Sequence, residues 1–321
     1  YRYRPRIEGL FARIERWENK ETGRVHWKSI SKDNITSIYG KTAEKVKQNN
    51  GTEKDGSNSR IYDPEDENKV FQWLLEESYD DKGNTILYKY ISENNDGVTH
   101  KVPYDKNRKD KPYANLYIKR ILYGNKTPRQ DEIHPDDDFM FEVVFDYGEH
   151  DDSRPLPNDY MNNNWHIRSD CFSNYRAGFE IRTQRLCHRV MMFHHFADEL
   201  QTSPCLVRST DFIYDQHKVV TYLTSAKQTG YLWDKEKYAS KSLPPLEFIY
   251  HKVEINEDIQ VLDPESMENL PIGIDNSSYQ FVDLDGEGLS GILTEQGDGW
   301  FYKQNWGGLP KDYSNRSDAL P

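Results

Sequence analysis

Between residues 139 and 147 the chain reads FMFEVVFDY, and its alternation is strict. Phe139, Phe141, Val143, Phe145 and Tyr147 fall on one side, Glu142 and Asp146 on the other. Successive Cβ atoms of a strand point to opposite faces, so a sustained period of two specifies extended backbone. The signature recurs. YANLYIKRILYGN from Tyr113 closes on Gly124-Asn125, and PPLEFIYHKVEI from Pro244 carries prolines that confine it to a strand start or an edge. RIEGLFARIERWE alternates as a strand pair, and GRVHWKSISKDNITSIYG sets Val25, Trp27, Ile35 and Ile38 around a Lys-Asp-Asn turn. The expected fold class is all-β.

The turns are as informative as the strands. In SYDDKGNTILYKY, Asp81-Lys82-Gly83-Asn84 supplies residues that tolerate positive φ. Ile86, Tyr88 and Tyr90 then share one side of the returning strand, so Tyr79, Asp80, Gly83, Asn84, Tyr88 and Tyr90 form a structural hairpin with Gly83 in the left-handed region. Residues 45–58 read as a polar surface loop, and Glu65 to Asn68 as a cap for a short helical turn. Residues 179–200 fit either period: Leu186, His188, Val190, Met192, His194 and Phe196 alternate, while Leu186, Val190, Phe193, Ala197 and Leu200 recur at helical spacing. The neighbouring hairpins favour the strand. Glycines gather near the C-terminus in DGEG and GDGW, placing an expected boundary between residues 1–265 and 266–321.

Composition excludes several classes. A formal charge of −12 argues against nonspecific nucleic-acid binding, which draws its affinity from cationic side chains. No apolar run approaches the roughly 20 residues of a membrane-spanning helix. YRYRPRIEGL has no apolar leader segment, so no signal peptide is expected here, and the chain is expected to be an internal piece of a longer protein. Cys171, Cys187 and Cys205 are too few and too widely spaced for a disulfide framework or zinc cluster, and read as buried free thiols. Tyrosines number 22, against 13 phenylalanines and 7 tryptophans, which suits half-buried strands whose rings pack while their hydroxyls stay wet.

Chemistry-bearing motifs are sparse. In FVDLDGEGLSGIL, Asp283, Asp285 and Glu287 alternate in a glycine-bent loop and could converge on calcium. Ser290-Gly291 stands where a further carboxylate would be needed, so a tight acidic turn without an ion is the competing reading, and the sequence points to no cofactor other than calcium. His194 and His195 point to opposite faces of a strand and do not form a zinc pair. Neither a nucleophile elbow nor a phosphate-binding glycine loop occurs, and no catalytic residue is assigned.

SYDDKGNTILYKY resembles the YD repeat of Rhs proteins, in which Tyr-Asp, a glycine turn and a Tyr-rich return strand build a spiralling β-shell. YRPRIEGLFARIERW, SKDNITSIYG, RIYDPEDENKVFQWLLE, WHIRSDCFSNYRAGFEIRTQRLCHRVMMFHHF, LVRSTDFIY and FVDLDGEGLSGIL together resemble the SpvB/TcB family. That family includes the B components of bacterial insecticidal toxin complexes.

The resemblance implies an Rhs/YD-type β-shell over residues 1–265, with early propeller strands allowed within it, and part of a β-propeller over 266–321. It implies a scaffold and gate, not an enzyme. The expected partners are a C component with a toxic C-terminal region and a pore-forming A component, in a complex assembled in the bacterial cytoplasm and then secreted. Two alternatives stand beside it: the carrier region of an ADP-ribosyltransferase toxin whose enzyme domain lies outside this chain, and a calcium-dependent adhesion or carbohydrate-binding β-protein.

Overall fold

The computed structural model describes the chain except residues 1, 5, 8, 10, 42–44, 48–52, 56–58, 99–105, 107, 109–112, 131–134, 162–164, 252–258, 260, 262–263, 265–267, 269–277, 287 and 308–321. It divides into two compact units, Tyr1–His251 and Lys252–Pro321.

The first unit begins with four strands, β1 (Arg2–Tyr3), β2 (Arg13–Glu18), β3 (Val25–Ile30) and β4 (Thr36–Tyr39). Two small hairpins follow, β5 (Lys45–Lys47) with β6 (Glu53–Asp55) and β7 (Arg60–Asp63) with β8 (Asp66–Trp73). Then come β9 (Leu75–Tyr79), β10 (Thr85–Ser92), β11 (Leu116–Asn125), β12 (Phe139–Asp146), the short pair β13 (Phe172–Asn174) and β14 (Ile181–Thr183), and β15 (Arg189–His194). A single helical turn, α1 (Ala197–Leu200), leads into β16 (Cys205–Gln216), β17 (Thr221–Asp234), β18 (Lys237–Ser242) and β19 (Leu246–Glu247).

One antiparallel sheet organises the unit. Its order is β1-β2-β3-β4-β9-β10-β11-β12-β15-β16-β17-β18, with β19 also pairing β17. Spatial order thus follows chain order, and the small hairpins are excursions between neighbouring strands.

Between Glu142 and Asp146 the buried side of β12 is the one that the sequence marks as polar, while Phe139 and Tyr147 at the ends of the pattern are buried as well. Val144 pairs Met191 and Glu142 pairs Phe193 across β12 and β15, and Phe193 pairs Leu206 on β16, all on one face. Val144, Met191, Phe193 and Leu206 form the central cluster, with Tyr231 and Tyr238 packed against it; Leu87, Leu122 and Phe139 form a second. Each such side chain contributes about 1.5–3 kcal/mol on burial. The acids of this face are buried as ion pairs: Glu142 meets Arg120 and His195, and Asp146 meets Arg189 at 2.8 Å. Burial opposes both carboxylates, yet His195 and Arg120 hold Glu142, and Arg189 holds Asp146, below the usual carboxylate range. The opposite face, with Phe141, Val143, Phe145, Val190 and Met192, is half-buried.

Several local expectations change. Among the described residues of RIEGLFARIERWE only Arg13–Glu18 form a strand, β2, whose partners are β1 and β3. Within residues 45–58, β5 and β6 pair as a hairpin in place of a plain loop. Glu65 lies in a tight turn and residues 66–68 start β8 instead of a helical turn, because Asp63 Oδ1 accepts the Glu65 amide at 3.0 Å and closes a hairpin. Residues 189–194 are the strand that the neighbouring hairpins favoured, and only residues 197–200 are helical.

The second unit contains β20 (Tyr279–Val282), β21 (Gly291–Gln296) and β22 (Gly299–Lys303), an antiparallel meander. The units part at His251/Lys252, ahead of the expected boundary at residue 265. The glycine count marks the tight turns of the meander, whereas the division falls soon after β19, the last edge strand of the large sheet.

Candidate functional site

Three arrangements carry the chain's polar chemistry. The first is the hairpin that follows Tyr79-Asp80. Asp80 Oδ1 accepts the Lys82 and Asn84 amides, both at 2.9 Å, and its Oδ2 accepts Asn84 Nδ2 at 2.6 Å. Gly83 adopts φ +84° as its position demands. It is also covered: a Cβ there would lie 2.8 Å from the Arg129 amide nitrogen and 3.0 Å from Pro128 Cβ. The Gly83 carbonyl accepts both the Arg129 amide at 2.9 Å and Asn125 Nδ2 at 2.8 Å. Tyr79 lies beneath the Arg129 guanidinium, and Tyr90 donates its hydroxyl to the Leu75 carbonyl at 2.7 Å. Burial raises the Tyr88 hydroxyl above its ordinary pKa and pushes that of Tyr90 up to about 12. The hairpin is thus a receptacle for residues 125–129.

The second arrangement follows from a bulge. Lys89 pairs Arg120 but Tyr90 pairs Ile118, leaving Lys119 as the extra residue of β11. A bulge puts consecutive side chains where strict alternation would separate them. Lys119 and Arg120 are accordingly both buried. The Lys119 ammonium donates to the Phe145 carbonyl at 2.6 Å, contacts Glu149 Oε1, and lies 2.8 Å from His150 Nε2. Tyr147 and Tyr160 present their rings to it, 5.7 and 5.2 Å away.

Asp146, Glu149 and His150 form the one trio with metal-ligand chemistry among the described residues. These residues do not fit a metal. The Lys119 ammonium already contacts Glu149 and His150, and Asp146 is committed to Arg189 and to the Gly148 amide at 2.8 Å. The sequence shows DYGEHDD, but not the lysine that fills its centre from another strand.

The third arrangement is a buried arginine. Arg185 pairs with Glu93 at 2.8 Å, both side chains fully enclosed. It also donates to the carbonyls of Asp96, Trp165 and Asn94 and stacks 4.4 Å from the Trp165 ring. One guanidinium therefore ties its own segment to two others, residues 93–96 and Trp165, which suits its five donors in a planar fork.

In the second unit, Asp283 Oδ1 accepts the Gly286 amide and Oδ2 the Gly288 amide, each at 2.7 Å. Asp285 accepts Gln304 Nε2 at 2.9 Å. Glu287 lies outside the described residues. Gly291 is a glycine for a packing reason, since a Cβ there would lie 2.5 Å from the Tyr302 hydroxyl. A cleft of 150 Å³ lined by Tyr62, Pro64, Glu67, Ser92, Tyr113, Ala114 and Leu116 is smaller than the roughly 300–1,000 Å³ of ordinary ligand sites. Cys171, Cys187 and Cys205 are free thiols; Cys205 is buried and the other two are partly so. Among the described residues no helix is long and apolar enough to cross a membrane.

Relatives share this framework. Mono(ADP-ribosyl)transferase SpvB of Salmonella typhimurium strain 14028s is 35% identical over 239 residues, 73% of this chain and 38% of the relative. The Salmonella dublin protein of the same name shows the same identity over the same residues, 37% of its own length. The chain therefore spans well under half the length of these relatives. The crystal structure of TcdB2-TccC3-Cdc42 superposes with a TM-score of 0.77 at 29% identity, covering 94% of this chain and 14% of that one. The Photorhabdus luminescens Tc holotoxin pore gives 0.73 at 29% identity over the same shares. The N-terminal domain of effector protein SpvB from Salmonella typhimurium strain LT2 gives 0.61 at 34% identity, covering 72% of this chain and 68% of that domain. The family model of the Salmonella virulence plasmid 65kDa B protein, SpvB, matches residues 1–196, and the chain belongs to that family.

Proposed function

We propose that this chain is a non-catalytic wall segment of a toxin-carrying β-shell. With a C component it encloses a toxic cargo, and through its assembly it engages a pore-forming A component that releases the cargo. The observation that supports this reading most is the likeness to TcdB2-TccC3-Cdc42, which extends over 94% of this chain but occupies 14% of the much longer chain that it matches. The sheet suits a wall. Its strands follow one another laterally in chain order, and across β12 and β15 one face is buried by an apolar cluster with paired charges while the other stays half-buried. The β20–β22 meander is read as part of a propeller blade, and the complex as secreted after assembly in the bacterial cytoplasm.

A second reading is favoured by the SpvB relatives, named as mono(ADP-ribosyl)transferases. In it the same wall serves as the carrier region of an enzyme domain elsewhere in the protein. The two readings share the non-catalytic role and differ in what the shell delivers.

The test is capture of the full-length protein, with its C partner, on an immobilised A component, with and without residues 1–321. Loss of capture on deletion supports the shell reading. Capture undiminished by deletion refutes it. ADP-ribosylation by the full-length protein that survives substitutions throughout this chain supports the carrier reading.

A further inference from the structure

The Lys119 site has the components of a condensation reaction, not only of an ion pair. We propose that Lys119 and Glu149 join through an intramolecular isopeptide bond between the lysine Nζ and the glutamate Cδ.

Four observations carry this. The two groups touch in an enclosed site, with side chains 2% and 1% exposed, so no bulk water competes with the amine. The carboxyl group is held in orientation: its Oε2 accepts the Tyr147 amide at 2.7 Å, while its Oε1 faces the lysine. Oε2 is therefore placed to become the amide carbonyl oxygen, and Oε1 to leave. His150 is oriented too, since its Nδ1 donates to the Leu156 carbonyl at 2.9 Å, which leaves the Nε2 lone pair facing Nζ at 2.8 Å. Finally, the rings of Tyr147 and Tyr160 flank Nζ, so the site is walled by aromatic carbon as well as by polar groups.

Enclosure lowers the basicity of both nitrogens. Burial holds Lys119 below the ordinary lysine pKa although Glu149 acts to raise it. Burial, and then the Lys119 charge, hold His150 below the ordinary histidine value. In the first step a proton passes from the ammonium to Glu149 Oε1, which leaves the amine neutral. The amine nitrogen attacks Cδ, and its excess proton passes to His150 Nε2. His150 returns that proton to the Oε1 hydroxyl, which departs as water. One C–N bond forms, one C–O bond breaks, and no oxidant or other reactant is consumed.

The product would tie β11 covalently to the turn after β12. This inference does not depend on the shell role.

The test is the denatured intact mass of the full-length protein, followed by a tryptic map. The expected mass is lower than the sequence mass by one water, with the peptide ending at Arg120 linked to the peptide containing Glu149. A Glu149→Gln variant is expected to form the same bond with loss of ammonia, and Lys119→Arg to keep its full mass. A full sequence mass with trypsin cleaving after Lys119 overturns the proposal, as does a water loss that maps elsewhere. The wild-type mass decides the matter even if either variant fails to fold.

Discussion

The guanidinium of Arg129 lies 3.9 Å from the ring centroid of Tyr79 while its Nε and Nη2 reach the two carboxylate oxygens of Glu77 at 2.5 and 3.2 Å. Tyr79 and Glu77 share a face of β9, so one arginine from beyond β11 clamps both. The tyrosine of the Tyr-Asp pair thereby has a physical role as the platform for this cation. The Arg129 and Glu77 side chains are 12% and 11% exposed, which places the pair between an exposed bridge worth about 0–1 kcal/mol and a buried one costing about 3–5 to break. A double-mutant cycle of Arg129→Ala with Tyr79→Ala is expected to show a coupling of about 0.5–2 kcal/mol. Additive losses in denaturant unfolding would show that the ring and cation do not cooperate.

Gly83 makes the second prediction. Its φ of +84° disfavours any side chain, and the Pro128–Arg129 backbone leaves no room for a Cβ. Gly83→Val is expected to destabilise the unit by about 1–3 kcal/mol, read as a lowered melting temperature. A native-like melt would mean that residues 128–129 do not dock on the hairpin.

Acid should weaken the fold through its histidines. Burial, with Lys41 and Lys28 adding, brings His26 down to about 4. Burial also lowers His150, His188 and His194, with Lys119, His166 and His195 respectively acting in the same direction. Each folded value lies below the unfolded value of about 6.5, so the unfolded chain binds more protons and stability rises with pH. Melting temperature is expected to be level just above about pH 7 and to fall steadily from about pH 6.5 toward 4. A melting temperature that rises on acidification through that window would contradict the neutral state of these rings.

The Asp283 turn yields the fourth prediction. Both of its oxygens already accept turn amides, and Gly291 is fixed by Tyr302, so the loop is read as self-supporting. Melting of the full-length protein is expected to ignore added calcium and chelator, and Asp283→Ala to cost about 1 kcal/mol for the lost hydrogen bonds. A calcium-dependent rise in melting temperature would restore an ion to this loop.

Local features were legible in the sequence because local chemistry sets them. Asp80-Asp81-Lys82-Gly83-Asn84 announces its turn, and the alternation of residues 139–147 announces β12. Which face of β12 is buried was not legible. Glu142 and Asp146 go inside because Arg120 and Arg189 meet them from 22 and 43 residues away, and no window of sequence contains both partners. The Lys119 cluster was hidden for a related reason. A bulge, which periodicity cannot register, turns that lysine inward, and Glu149 is 30 residues away. The β5–β6 pair and the start of β8 at Asp66 escape a reading of periodicity because polar hairpins lack the alternating apolar side chains that mark a strand.

The central claim is that this chain helps enclose a cargo, and protease protection measures that most directly. The C component's toxic C-terminal region would be followed during limited proteolysis in complex with the full-length protein, and again with a protein lacking residues 1–321. The account predicts a protected region in the first complex and rapid digestion in the second. Equal protection in both would show that this sheet is not part of the wall.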